Sequence, residues 1–136
     1  MKMKHIFLLT FLFLLSACNN HVHNHHSSTT EEIKDNSKPV HVDVKVVPDK
    51  PKKGQPFSIQ AKVTQDNLIV TDADEVIFEV WQDSTSQHTK IRSKTPQKNG
   101  LYYIRPKFNK AGKYHVIAHV TAREMHTMPQ KQFIVQ

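Results

Sequence analysis

The residues best suited to chemistry lie near the end of the chain. "EMHTMP", residues 124–129, places Met125, His126 and Met128 in one short stretch, and His115 and His119 lie just upstream. Thioether is soft and neutral and favours Cu(I), while carboxylates favour Ca²⁺ or Mg²⁺. Zn²⁺ sites use Cys or carboxylate beside His, and Met is not among their usual ligands. Imidazole with thioether therefore suits copper. The plainer alternative is that Met125 and Met128 fill gaps at the end of a core and His126 is an ordinary loop residue, since Met commonly fills irregular space.

Converging these side chains needs a particular hairpin. "AGKYHVIAHV" alternates, with Tyr114, Val116, Ala118 and Val120 on one face and His115, Ile117, His119 and Thr121 on the other. A two-residue turn at Arg123-Glu124 would set Ala122 against Met125, Thr121 against His126, Val120 against Thr127 and His119 against Met128. Directly opposed residues of an antiparallel pair share a face, with Cβ atoms about 4.5–5.5 Å apart. His119, His126 and Met128 then share the outer face and Met125 takes the other. A slip of one residue would undo this, and Arg-Glu is a poor pair for a turn that wants Gly or Asn. Trp81, outward on its own strand, would shield a bound ion if that strand adjoined the hairpin.

The rest of the chain also reads in period two from residue 40. Val40, Val42, Val44 and Val46 form one face, followed by the Pro/Gly/Lys turn "PDKPKKGQP". Phe57, Ile59, Ala61 and Val63 alternate inward, then Val76, Phe78 and Val80 with Ile77, Glu79 and Trp81 outward. A weaker strand is expected over His88 to Ser93. Tyr102, Ile104 and Phe108 follow the Asn99-Gly100 turn, and "QKQFIV" closes the chain. About seven short strands and no amphipathic helix predict an all-β, immunoglobulin-like antiparallel β-sandwich. The period alone also fits a small barrel. Tyr114, at the start of a late strand, fits the tyrosine corner of such sandwiches. Asp72, Asp74 and Glu75 read as a solvated loop, because no Gly turn or distal ligand completes a Ca²⁺ site there.

The N-terminus reads as a targeting segment. Lys2 and Lys4 precede an apolar run from Ile6 to Leu15, broken by Thr10. That run is too short to span a bilayer as a helix and fits a secretory signal peptide. Leu15-Ser16-Ala17-Cys18 resembles the bacterial lipobox, which implies cleavage before Cys18, acylation of its thiol and often a third chain on its amine. The organisation expected is a signal peptide over 1–17, a lipidated tether over 18–39 and a folded domain over 40–136. The partner expected for the anchor is the outer face of the cytoplasmic membrane. Cys18 is the only cysteine, so no disulfide can form within the chain. Loss of Lys2 and Lys4 lowers the formal charge from +7 to +5, which favours anionic headgroups or wall polymers. An exported chain of this charge is not expected to bind nucleic acid, and a monomer is expected. The tether is polar, and its His21, His23, His25 and His26 can chelate Zn²⁺, Ni²⁺ or Cu²⁺ or simply be polar linker residues.

The stretches "PKKGQPFSIQAKVT", "VIFEVW", "GLYYIRPKFNKAGKYHVIAHVTAREMHTMP" and "KQFIV" resemble the YtkA-like (FixH-like) domain of bacterial lipoproteins, over nearly all of 40–136. "HVTAREMHTMP" is similar to the family pattern of His-Val-x-Ala followed by His-x-Met-Pro. By position, the resemblance points to His119, His126 and Met128, and more loosely to His88. The family tends to carry Gly where this chain has Glu124. The resemblance implies an immunoglobulin-like sandwich outside the cell. A His-x-Met pair also recurs in periplasmic copper chaperones, so it implies Cu(I) and a copper-accepting envelope protein as partner.

Catalysis is not expected. The chain has no Gly-rich phosphate loop, no Ser nucleophile elbow and no free Cys once Cys18 is acylated. Two classes of function remain. One is copper binding or delivery through His119, His126 and Met128, with His88, Met125 and the tether histidines as possible additions. The other is a metal-free envelope interaction module, favoured by the Lys-rich turn at Lys50, Lys52 and Lys53.

Overall fold

A computed structural model of the chain describes residues 38–93 and 99–136. Cys18, His21, His23, His25 and His26, and with them the expected signal peptide and most of the tether, lie outside these residues. Nine strands occur among the described residues: β1 (Val40–Val47), β2 (Ser58–Gln65), β3 (Leu68–Ile69), β4 (Glu75–Gln82), β5 (Thr89–Arg92), β6 (Leu101–Ile104), β7 (Gly112–Ala122), β8 (Met125–Thr127) and β9 (Gln130–Val135). They form two sheets. In the first, β2 pairs with β1 on one side and with β3 and β6 on the other; in the second the order is β5-β4-β7, with β8 and β9 along the far side of β7. Every pairing is antiparallel. The molecule is the all-β, immunoglobulin-like antiparallel sandwich that the alternation predicts.

The alternating apolar residues fill the space between the sheets. Val44, Val46, Ile59, Ala61 and Val63 from the first sheet meet Phe78, Val80, Val116, Ala118, Val120 and Val135 from the second, all buried. Full burial of one such side chain contributes about 1.5–3 kcal/mol, so the inner faces fix which residues must point out. An aromatic group closes one end. Phe108 stacks on Tyr114 at 4.6 Å and meets Phe57 edge-on at 5.2 Å. The Tyr114 hydroxyl donates to the Lys110 carbonyl at 3.0 Å, four residues upstream, which is the tyrosine-corner bond.

Three details differ from the sequence reading. Glu75 opens β4 rather than ending a loop. The short β3 adds a hairpin after β2, through the two-residue turn Asp66-Asn67. Phe108 lies beyond β6, half-buried against the core. Among the described residues no helix is long and apolar enough to cross a membrane.

Candidate metal centre

The β7–β8 hairpin has the expected register. Val120 pairs with Thr127, Thr121 with His126 and Ala122 with Met125. The turn is Arg123-Glu124, and both residues have positive φ, 52° and 63°. Neither type favours that backbone. Arg123 is held from outside the hairpin: its Nη2 donates to Asp72 Oδ1 at 3.0 Å and its Nη1 reaches Gln65 Oε1 at 3.5 Å. Beyond Thr127 the same register resumes with Ile117 opposite Gln130. Pro129 separates β8 from β9 because it has no N–H to give, while its carbonyl still accepts the Ala118 N–H at 3.0 Å. Met128 therefore falls opposite His119.

The pleat sorts the side chains. Met125 packs against the core, away from the histidines. His119, Thr121, His126 and Met128 take the outer face. The His119 and His126 ring centroids are 6.1 Å apart, and Met128 is 55% exposed. His126 Nδ1 is bonded to Thr121 Oγ1 at 2.9 Å.

β4 supplies the remainder of this face. It pairs with β7 so that Ile77 lies opposite His119, Glu79 opposite Ile117 and Trp81 opposite His115. The Glu79 carboxylate reaches diagonally and bridges two rings. His119 Nε2 donates to its Oε2 at 2.7 Å, and His88 Nδ1 donates to its Oε1 at 2.6 Å. The Lys90 ammonium lies 3.5 Å away. The hydrogen bond from His88, then that from His119, hold the Glu79 carboxyl down at about 2, against an opposing effect of burial; the charges of Lys90 and His119 add to the lowering. Sequence alternation places Glu79 outward, but nothing local marks it as the centre of this network. His88, a loose family match, enters through Glu79.

Trp81 does not cover His119. Its ring stacks between His88, at 4.3 Å and 7°, and His115, at 5.0 Å and 9°. The pairing explains this, since His115 is its direct partner and His119 lies four residues further along β7. His115 is buried, with Nε2 on Asp83 Oδ1 at 2.5 Å and the Gln130 amide 3.4 Å from Nδ1. That bond from His115 lowers the Asp83 carboxyl below its usual range. Both nitrogens of His115 are thus engaged.

The donor set can be tested against a metal. Among the described residues no cluster of three or more His, Cys, Asp or Glu is arranged to hold an ion. A site on this face depends on the thioether of Met128 beside two imidazoles, the donor set that favours Cu(I). Each imidazole keeps one nitrogen outside the bonds described above, Nδ1 of His119 and Nε2 of His126. A cavity of about 440 Å³ lies elsewhere, lined by Trp81, Gln82, Ile91, Phe108, Lys110 and Tyr114 among others.

No curated protein matches this chain. Among solved structures it is similar to superoxide reductase (neelaredoxin) from Ignicoccus hospitalis, with 13% identity, a TM-score of 0.47 and coverage of 71% of this chain and 82% of that one. A variant of the same protein gives 11% identity, a TM-score of 0.44 and coverage of 73% and 81%. Residues 34–119 match the YtkA-like family. The match ends at His119, so His126 and Met128 lie beyond it. With more than half of its length matched, the chain belongs to the YtkA-like family.

Proposed function

We propose that this chain is a lipid-anchored, extracytoplasmic copper module that binds Cu(I) through His119, His126 and Met128 and delivers it to an envelope acceptor. The observation that carries the reading is the shared outer face: two imidazoles with centroids 6.1 Å apart, and an exposed methionine opposite one of them. Three neutral ligands on an open face suit transfer better than storage. Copper is cargo here, and no bond-making step is assigned to the protein. The anchor rests on Leu15-Ser16-Ala17-Cys18 after a short apolar run. Two or more acyl chains give stable attachment where one is marginal, and export places the domain on the outer face of the cytoplasmic membrane.

The test is a Cu(I) titration against a competing chelator. The full chain is used, with His21, His23, His25 and His26 replaced by Asn so that only the domain reports. Saturable binding of one Cu(I), lost on His126→Ala, is expected. No binding, or binding unaffected by that change, overturns the reading. A Cys18→Ala variant should fail to take up lipid label; labelling as in the wild type removes the anchor. The rival reading, a metal-free module binding an envelope polymer, is favoured by Lys50, Lys52 and Lys53, all exposed in one loop. It predicts retention on anionic wall polymer without any Cu(I) binding.

A further inference from the structure

On and beside the outer face of β4 and β7 lie four imidazoles whose hydrogen bonds decide which nitrogens can meet a metal. An ionised carboxylate only accepts hydrogen bonds. Because Glu79 Oε2 lies 2.7 Å from His119 Nε2, the neutral form of that ring carries its proton on Nε2 and its lone pair on Nδ1. Because Oε1 lies 2.6 Å from His88 Nδ1, the proton of His88 sits there. His115 is closed off, with Asp83 on one nitrogen and the Gln130 amide facing the other. His126 is different again. Its Nδ1 meets the Thr121 hydroxyl, which can donate or accept, so its tautomer is not imposed.

We propose that Glu79 is the positioning residue of the copper site: its carboxylate holds His119 as the Nε2–H tautomer, turns Nδ1 towards the ion, and is itself aligned by His88. This rests on the copper reading and assigns two residues to it that do not touch the metal. Ligating histidines commonly donate their second N–H to a carboxylate, which fixes tautomer and ring orientation and raises ligand basicity. Here one carboxylate on β4 is shared by two rings, one on β7 and one just before β5. His88 immediately precedes β5 and lies flat on Trp81 at 4.3 Å, so its own position is set by stacking. Oε1 is bonded to His88 and Oε2 to His119, so both Glu79 oxygens are engaged in holding the rings. The order runs from Trp81 to His88 to Glu79 to His119. His88 is therefore a support rather than a fourth ligand.

The tautomer can be read in the metal-free full chain from ¹⁵N shifts of labelled histidines, with the His119 signal assigned by its loss in His119→Gln. The expected result is Nε2–H for His119 and Nδ1–H for His88. Nδ1–H at His119 overturns the inference, and this needs no variant at Glu79 to fold. The second arm is a Cu(I) titration of Glu79→Leu in the chain lacking tether histidines. Removing such an outer partner typically weakens metal binding by about 10–100-fold, and a loss in that range is expected, with a smaller one for His88→Ala. Binding by Glu79→Leu within about twofold of the parent overturns the inference and leaves the copper reading intact. A parent that binds no Cu(I) overturns the copper reading itself, and the role of Glu79 falls with it.

Discussion

On the outward face of β1, β2 and β6, Asp43 and Lys45 pair at 3.3 Å with 60% and 67% of their side chains in water. On the outward face of β4 and β7, Glu79, His119 and His115 keep only 14%, 17% and 10% exposure. Both faces come from the same alternation of apolar and polar residues. The first is an ordinary solvated surface, where an exposed ion pair contributes about 0–1 kcal/mol. The second covers its polar groups with one another and with an aromatic ring. A polar group removed from water is tolerated only when it is hydrogen-bonded, and on this face Glu79, His88, His115 and His119 all are. The difference lies in the width of the residues as much as in their charge. Imidazole and indole rings stand close enough across a rung to stack, as Trp81 and His115 do at 5.0 Å.

The largest effect expected from this contrast is on Cu(I) affinity. His119→Ala, His126→Ala and Met128→Ala should each weaken binding by more than the roughly 10–100-fold typical of outer partners. His41→Ala, on the other sheet's outward face, should leave it unchanged. Met125→Ala should change it little, because Met125 packs inward. Competition titration of the chain lacking tether histidines measures all five. Equal losses at Met125 and Met128 would replace the pleated site by a looped one.

A smaller effect concerns acid. Glu79 titrates at about 2 in the folded chain against an ordinary 4.5. A carboxyl whose folded value is depressed contributes stability that is complete above its unfolded value and is lost as pH falls through the folded one. Glu79 should therefore help the fold in full above pH 4.5 and progressively less down to pH 2. The contribution is on the order of 2 kcal/mol, below the full linkage value because the carboxylate keeps some contact with water. Urea unfolding of metal-free protein between pH 5 and 2 checks it. Stability should fall less steeply across that window in Glu79→Gln than in the wild type. Parallel curves would mean that the bonds to His88 and His119 do not hold in solution.

Much of this architecture is legible in the sequence. The inward sets on β1, β2, β4 and β7, the tyrosine corner and the register from Ala122–Met125 to Val120–Thr127 all follow from alternation and a two-residue turn. Those relations are local, or they repeat along the chain. The bridge from Glu79 to His119 spans forty residues and depends on which strands become neighbours. Period two says that Glu79 points out; it does not say that β4 lies beside β7. The same gap explains Trp81, whose outward direction is legible and whose partners are not.

The least of the effects lies in the two hairpin turns that border these sheets. In the first sheet the turn is Asp66-Asn67, with φ of 49° and 65°; in the second it is Arg123-Glu124, with φ of 52° and 63°. The backbones are alike and the residues are not. Asp and Asn tolerate the left-handed region because their short side chains bond locally. Arg123 and Glu124 gain nothing of that kind. Arg123 is compensated by Asp72 and Gln65, on the connection after β3 and the end of β2, so the site hairpin is tied to the opposite sheet. Glu124 is exposed. Glu124→Gly should relieve its strain and raise stability by about 0.5–1 kcal/mol, the gain being trimmed by the extra freedom of Gly in the unfolded chain. Arg123→Gly removes strain and tie together, so it should gain less or lose. Urea midpoints at neutral pH separate the two, and Cu(I) affinity should not change in Glu124→Gly because the register stays. A destabilised Glu124→Gly would show that the turn does not hold a left-handed residue there, and the placement of His126 and Met128 on the outer face would go with it.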